Sequence, residues 1–529
     1  MNMMRPGVLA LALFLQLPLV GTAGAADVAD NFKQHCASCH GEGRLGGLGP
    51  ALLPENLARL RKPEAEKVIR EGRPATQMQG FGDKLSAEEI KALVDFVYTP
   101  IKPMPVWGET EIEASRIVNF APGSLPDKPQ FTADPMNLFV VVESGDHHVS
   151  ILDGDKLEPI YRFPSRFALH GGPKFTPDGR YVFFASRDGW ITKFDLWNLK
   201  VVAEVRAGIN TRNAAVSGDG KWVAVANYLP HSLVILDADL KVKKILPAID
   251  REGKVSSRVS AVYDASPRQS FVVALKDVKE VWEVSYNPQA PDLPVGLVHD
   301  YKYREGAFMP GFLNPKRTQL DDYLDDFYFN RGYDEVMGAS RNDAKSTLSG
   351  QVVNLDARRK IADLELPGMP HLGSGISWTW KDEAGQERTV MATPNLNEGV
   401  ISIIDMKTWK TIKHIKTRGP GFFMRSHENS RYAWTDSMMS REFKDTMQII
   451  DKEKLEIVAE LRPEPGKTFA HVEFTKDGKY VLASLWEMDG ALIVFDAATL
   501  KEVKRLPMKK PVGKYNVWNK ITKSEGTSH

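Results

Sequence analysis

At 529 residues the chain exceeds what one compact core usually supports, and its 42% hydrophobic content is ordinary for globular folds, so two domains are expected. A formal net charge of +1 offers no field suited to nucleic acid or an anionic membrane, which removes both as partners. Two cysteines cannot supply a disulfide framework, so stability has to come from packing.

The first stretch, "MNMMRPGVLALALFLQLPLVGTAGAADVAD", sets one basic residue before a short apolar run and then small residues. This reads as a secretory signal over 1–25, cut after Ala25, with the periplasm as the destination. No later stretch is long and apolar enough for a membrane span.

Residues 26–102 read as a small all-α domain. "VADNFKQHCASCH" has helical spacing, and Ser86 and Glu89 in "SAEEIKALVDFVY" have the spacing of a capping box. Between them "HCASCHGEGRLGGLGP" holds Cys36 and Cys39, the chain's only cysteines, with His40 next to the second. C-x-x-C-H is the attachment pattern of a c-type haem: the thiols form thioethers with its vinyl groups and His40 offers an imidazole to the iron. A thioredoxin-like thiol pair or half a zinc site would share the cysteine spacing, but the adjoining histidine favours the haem. Met78, in "PATQMQGFGDKLSAEE", is the expected sixth ligand, with Met104 and His35 as alternatives. The proline-rich "TPIKPMPVWGETE" marks a linker, set at 103–117.

From 118 to 519 the chain repeats. "FTPDGRYVFFASRDGWITKFDLWNLKVVAEV", "VSGDGKWVAVANYLPHSLVILDADLKVKKIL" and "FTKDGKYVLASLWEMDGALIVFDAATLKEVKRL" share an Asp-Gly hairpin turn, an apolar strand, a polar turn and a strand ending in aspartate. With five looser copies this makes eight units of about 40 to 60 residues, predicting an eight-bladed β-propeller; a long array of β-sandwiches is the competing architecture. Residues 520–529 are expected to form a tail.

Propeller ligands bind over the axis at the ends of the innermost strands. His170, His371 and His471 each stand a few residues before the first hairpin turn of units two, six and eight, so imidazoles are expected around one rim, two of them opposed. Arg166, Arg187, Arg212 and Arg258 fall near the same rim, and their guanidinium forks suit carboxylates. Tyr228, Trp486 and Tyr515 are aromatics able to stack on a planar ligand. His427 coincides with a turn and is expected to point outward, while His147 and His148 are assigned structural places.

These features resemble the cytochrome cd1 family, which joins a haem c domain to an eight-bladed propeller holding haem d1, a porphyrinoid with several carboxylates. The resemblance covers nearly the whole chain beyond the leader and is carried by "CASCH", "GRYVFFASRDGWITKFDLW", "SRVSAVYDASPRQSFVVALKD", "MPHLGSG" and "GKYNVWN". Where the family's nitrite reductases place the first of two distal histidines, "EGAFMPGFLNP" has Met309 and Pro310; His371 corresponds to the second. "HGGPKFTPDGRY" and "FAHVEFTKDGKY" look more like the branch that assembles haem d1. That branch implies oxidation of a propionate of dihydro-haem d1 to the acrylate of haem d1, with electrons leaving through haem c to a periplasmic acceptor, and the product passing to a nitrite reductase. Nitrite reduction, or carriage of haem d1 without chemistry, are the alternatives. The resemblance further implies His471 as ligand of the d1 iron, His371 as the base and His170 as an alternative ligand.

Overall fold

The computed structural model describes residues 25–58, 60–73, 77–300, 305–339, 350–523 and 525. The leader expected over 1–25 lies outside them except for Ala25, which opens a helix.

Helices Ala25–His35, Ala37–His40, Pro54–Leu57, Lys62–Glu71 and Ala87–Val97 form the first domain. The expected capping box is present: the Glu89 N–H donates to Ser86 Oγ at 3.2 Å and the Ser86 N–H to Glu89 Oε2 at 2.8 Å, satisfying donors that a helix start leaves without partners. Phe32, Phe81, Leu85, Ile90, Leu93 and Val97 are buried together as its core. Among the described residues no helix is long and apolar enough to cross a membrane.

The stretch read as linker is more ordered than its prolines imply. Glu109–Ala114 is a helix, and Ile117–Val118 adds a fifth strand to the second sheet by pairing Ile117 with Glu204.

Beyond it, eight antiparallel sheets follow one another as the blades of a propeller. Their innermost strands are Pro511–Asn516, Lys174–Phe175, Asn210–Val216, Val259–Ala265, Asp326–Phe329, Ile376–Lys381, Met424–Arg425 and Phe469–Phe474, for blades one to eight. The ring closes in blade one, where the last strand pairs with Leu138–Glu143, Tyr515 opposite Val140. A two-stranded hairpin, Leu293–Asp300 with Glu305–Met309, interrupts blade four and carries Met309.

The chemistry of each strand follows its place. Middle strands such as Leu138–Glu143 are covered on both faces and are nearly all apolar, whereas the outer strand Glu456–Leu461 alternates exposed and half-buried residues. Neighbouring blades interlock through aromatic contacts, Phe163 stacking on Phe194 at 4.2 Å. The Asp-Gly turns are built alike: Thr176 Oγ1 donates to Asp178 Oδ1 and Thr475 Oγ1 to Asp477 Oδ1, while Gly179, Gly220 and Gly478 take φ near +72°, +70° and +76°, a region open to glycine.

The hub is charged. Lys174, Arg425, Glu473 and Lys514 come from the inner strands of blades two, seven, eight and one and sense one another's charge. At the hairpin-turn end a cavity of about 160 Å³ is lined by residues that include Lys174, Tyr263, Asp264, Lys520 and Lys523. Lys520, expected to begin a loose tail, instead belongs to the closing helix Val517–Thr522.

Candidate functional site

Cys36 and Cys39 are free thiols. Burial and then the neighbouring Cys39 push the Cys36 thiol up to about 11, the opposite of the depressed pKa of a redox-active dithiol. His40 is buried, its Nδ1 2.7 Å from the Pro50 carbonyl oxygen, so Nδ1–H donates there and Nε2 keeps its lone pair. Burial lowers the pKa of His40, opposed by that hydrogen bond, and holds it in the neutral form an iron ligand requires. Gly49 admits the ring: a Cβ there would come 2.8 Å from His40 Cε1. These residues fit a covalent haem c. Met78 is half-buried in the apolar cluster that includes Cys36 and Phe81; Met104 is surface-exposed and His35 packs on Phe81.

The loop after His40 docks on the propeller. The Ala51 N–H donates to Asp188 Oδ1 at 3.1 Å, and Asn56 Nδ2 donates to Asp188 Oδ1 at 3.4 Å and to the Ile209 carbonyl at 3.0 Å. Arg206 Nη2 donates to the Leu45 carbonyl at 2.5 Å. Ala51, Leu53, Ile209 and Leu229 bury an apolar seam beside these bonds.

Asp188 follows Arg187, and Arg187 reaches the first rim histidine. His170 Nδ1 lies 2.7 Å from the Arg212 carbonyl, while its Nε2 receives Arg212 Nη1 at 2.7 Å and Arg187 Nη2 at 3.1 Å. His170, Arg187 and Arg212 are thus brought together as expected, with both ring nitrogens of His170 engaged.

His371 and His471 are joined by two phenylalanines of blade seven. His371 Nδ1 lies 2.9 Å from the Phe422 carbonyl, and its Nε2 is 3.5 Å from Asp326 Oδ2. The Phe422 ring meets His371 edge-on at 4.3 Å, Phe422 and Phe423 are 4.6 Å apart, and Phe423 meets His471 at 4.7 Å. His471, at φ +52°, has no carbonyl on its ring nitrogens among the described residues; its Nδ1 is 3.3 Å from Lys514 Nζ, which also donates to the His471 carbonyl. Burial, then Lys514, Arg425 and Lys520, drive the His471 pKa well below its ordinary value, and burial drives that of Lys514 down as well. Tyr515 stands edge-on to His471 at 5.4 Å, and Trp486 stacks on Phe423 at 6.4 Å.

One expectation needs correction, that for His427, while Arg166, Arg258 and Tyr228 have partners within the protein. Arg166 and Arg258 lie near the rim, and each already holds a carboxylate through Nε and Nη2, Glu204 (2.9 and 2.5 Å) and Asp277 (2.8 and 2.6 Å). Tyr228 lies under the Arg258 guanidinium at 5.5 Å. His427 does not point outward: it is fully buried, takes the Asn429 N–H on Nδ1 at 3.0 Å and packs beside Phe474. Phe422, Phe423, Asp326, Lys514 and Asp436 were not singled out from the sequence.

Residues 133–520 match the family described as Cytochrome D1 heme domain, and residues 23–97 match Cytochrome C oxidase, cbb3-type, subunit III. The chain is 55% identical over 523 residues to "Dihydro-heme d1 dehydrogenase" of Pseudomonas aeruginosa, covering 99% of this chain and 100% of that protein. It is 29% identical over 383 residues to "Protein NirF" of the same organism, covering 71% and 90%. A solved structure described as "Dihydro-heme d1 dehydrogenase NirN in complex with DHE" superposes with a TM-score of 0.86 at 54% identity, covering 94% of this chain and 100% of that one.

Proposed function

The chain belongs to the cytochrome d1 haem-domain family, and from that premise we propose that it is a dihydro-haem d1 dehydrogenase, converting a propionate of its tetrapyrrole substrate to an acrylate. The reaction breaks two C–H bonds, forms one C=C bond, and releases two protons and two electrons. Haem c, when bound by Cys36, Cys39 and His40, accepts electrons one at a time.

One observation carries the reading: the ligand loop of His40 and the histidine rim meet at Asp188, which adjoins Arg187 on His170, so an electron-accepting site and the rim share one interface. Arg187 and Arg212 bind the substrate's carboxylates, exchanging His170 for a charged acceptor.

The ring hydrogen bonds support a different assignment for His371 and His471, with His170 kept as a ligand. His170 and His371 each tie Nδ1 to a carbonyl, as His40 does, so that Nε2 faces an iron once Arg187 and Arg212 have left His170 for the substrate's carboxylates; they belong to opposed blades. His471 lacks that anchor and serves as the base. Lys514 Nζ holds the ring, 3.3 Å from His471 Nδ1 and donating to the His471 carbonyl, and the neutral imidazole takes the proton from the propionate.

The leader directs the protein to the periplasm, where an electron acceptor reoxidises the haem c and finished haem d1 passes to a nitrite reductase. Incubating haem c-loaded protein with dihydro-haem d1 and an oxidant tests the reading by mass spectrometry. Loss of two hydrogens from the macrocycle is expected; an unchanged mass would leave a carrier.

A further inference from the structure

Asp436 ends the second strand of blade seven, Tyr432–Asp436, and is 1% exposed. Its carboxylate receives four backbone N–H groups: Phe422 at 2.8 Å and Met438 at 3.3 Å on Oδ1, Phe423 at 3.2 Å and His471 at 3.4 Å on Oδ2. Buried carboxylates need such donors, because an ionised group removed from water without them costs several kcal/mol.

What those four donors belong to gives the carboxylate a further role. The Phe422 carbonyl fixes the tautomer and ring direction of His371, and the Phe422 ring braces it. The Phe423 ring braces His471, whose own N–H is the fourth donor. Blade seven supplies no histidine to the rim, yet its phenylalanine pair spans the gap between those of blades six and eight. We propose that Asp436 is a positioning residue that sets the spacing of His371 and His471, and with it the placement of the base against the iron-side histidine. This rests on the dehydrogenase reading above.

Asparagine keeps the shape of the side chain but turns one acceptor oxygen into a donor facing donors, so Asp436→Asn releases one pair of N–H groups. A displacement of the order of 1 Å at a reacting group costs about 100-fold in rate. In haem c-loaded Asp436→Asn protein, kcat for acrylate formation is expected to fall about 100-fold while KM for dihydro-haem d1 stays within a few-fold. The absorption bands of the bound macrocycle should shift as His371 turns. A purely structural role would lower the melting temperature and leave kcat of the folded protein and those bands unchanged, which would overturn the proposal. Wild-type protein is assayed alongside: if it forms no acrylate, the dehydrogenase reading fails, whereas active wild type with an equally active variant removes only Asp436. Should the variant not fold, amide hydrogen exchange in the wild type decides. Slow exchange at Phe422, Phe423 and His471 supports the carboxylate anchor, and exchange as fast as in an open loop refutes it.

Discussion

Asp188 of blade two accepts the Ala51 N–H at 3.1 Å, and the residue before Ala51 carries the carbonyl that orients His40. A rim aspartate and the haem c ligand are therefore neighbours in one docked arrangement. Burial raises the Asp188 pKa to about 6 against the pull of Arg206, so the docking bonds run to a group almost wholly out of water. Removing a buried acceptor of this kind costs about 1–3 kcal/mol. Asp188→Ala should loosen the docking and slow substrate-driven reduction of haem c about ten-fold or more in stopped-flow absorbance, since 1.4 kcal/mol is a factor of ten. The haem c content should not change. A wild-type rate would show that the docked contact is not the route electrons use.

The pH dependence follows from His471. Free imidazole gains its proton near pH 6.5, but burial and the cations Lys514, Arg425 and Lys520 disfavour the charged form, so this ring stays neutral as pH falls through that value. A base works only while neutral, and the acid limb of kcat should therefore lie well below pH 6.5. Lys514→Met removes the nearest of the cations from a fully buried position, and the limb should move upward, towards 6.5. His471→Gln should lower kcat by roughly 100- to 10,000-fold at every pH. Coincident acid limbs in wild type and Lys514→Met would rule out the coupling of these two groups.

Met78 bears on the electron exit. A thioether ligand raises the potential of haem c. Met78→Leu keeps the apolar packing beside Phe81 and should lower the midpoint potential in a spectroelectrochemical titration, with the haem still attached. An unmoved potential would transfer the sixth position to His35 or Met104.

How far such details can be read from the sequence depends on whether a local pattern encodes them. The Asp-Gly turns recur in blades two, three and eight because each there needs a glycine at positive φ and a hydroxyl-to-aspartate bond, and with those three as the template the looser repeats were legible. The C-x-x-C-H site was legible because porphyrin geometry fixes its spacing. Asp436 was not, since aspartates end many strands here: Asp195, Asp405 and Asp451 do so to cap turns and pair with arginines, accepting from the N–H groups of Asn198, Thr408 and Lys454 and from Arg180, Arg388 and Arg431. Nothing local separates an aspartate that caps a turn from one that gathers N–H groups from three segments of two blades. The same holds for the arginines, where rim position was readable but the carboxylate partners, distant in sequence, were not: Glu204 lies 38 residues after Arg166.

That difference among the arginines gives a direct test. Arg187 and Arg212 donate to the His170 imidazole, a weaker acceptor than a carboxylate, so a substrate carboxylate displaces it at a gain. Arg166 and Arg258 already hold carboxylates in bidentate pairs and have nothing to gain from another. Hydrogen bonds to charged groups contribute about 1.5–3 kcal/mol, so Arg187→Ala and Arg212→Ala should each raise the Kd for dihydro-haem d1 about 10- to 100-fold in a fluorescence-quenching titration. Arg166→Ala and Arg258→Ala should bind as wild type and lose only the modest stability of partly exposed pairs, about 1 kcal/mol or less, visible as a small fall in Tm. If the second pair of variants lost affinity as the first did, the assignment of the carboxylate-binding corner to blades two and three at His170 would be wrong.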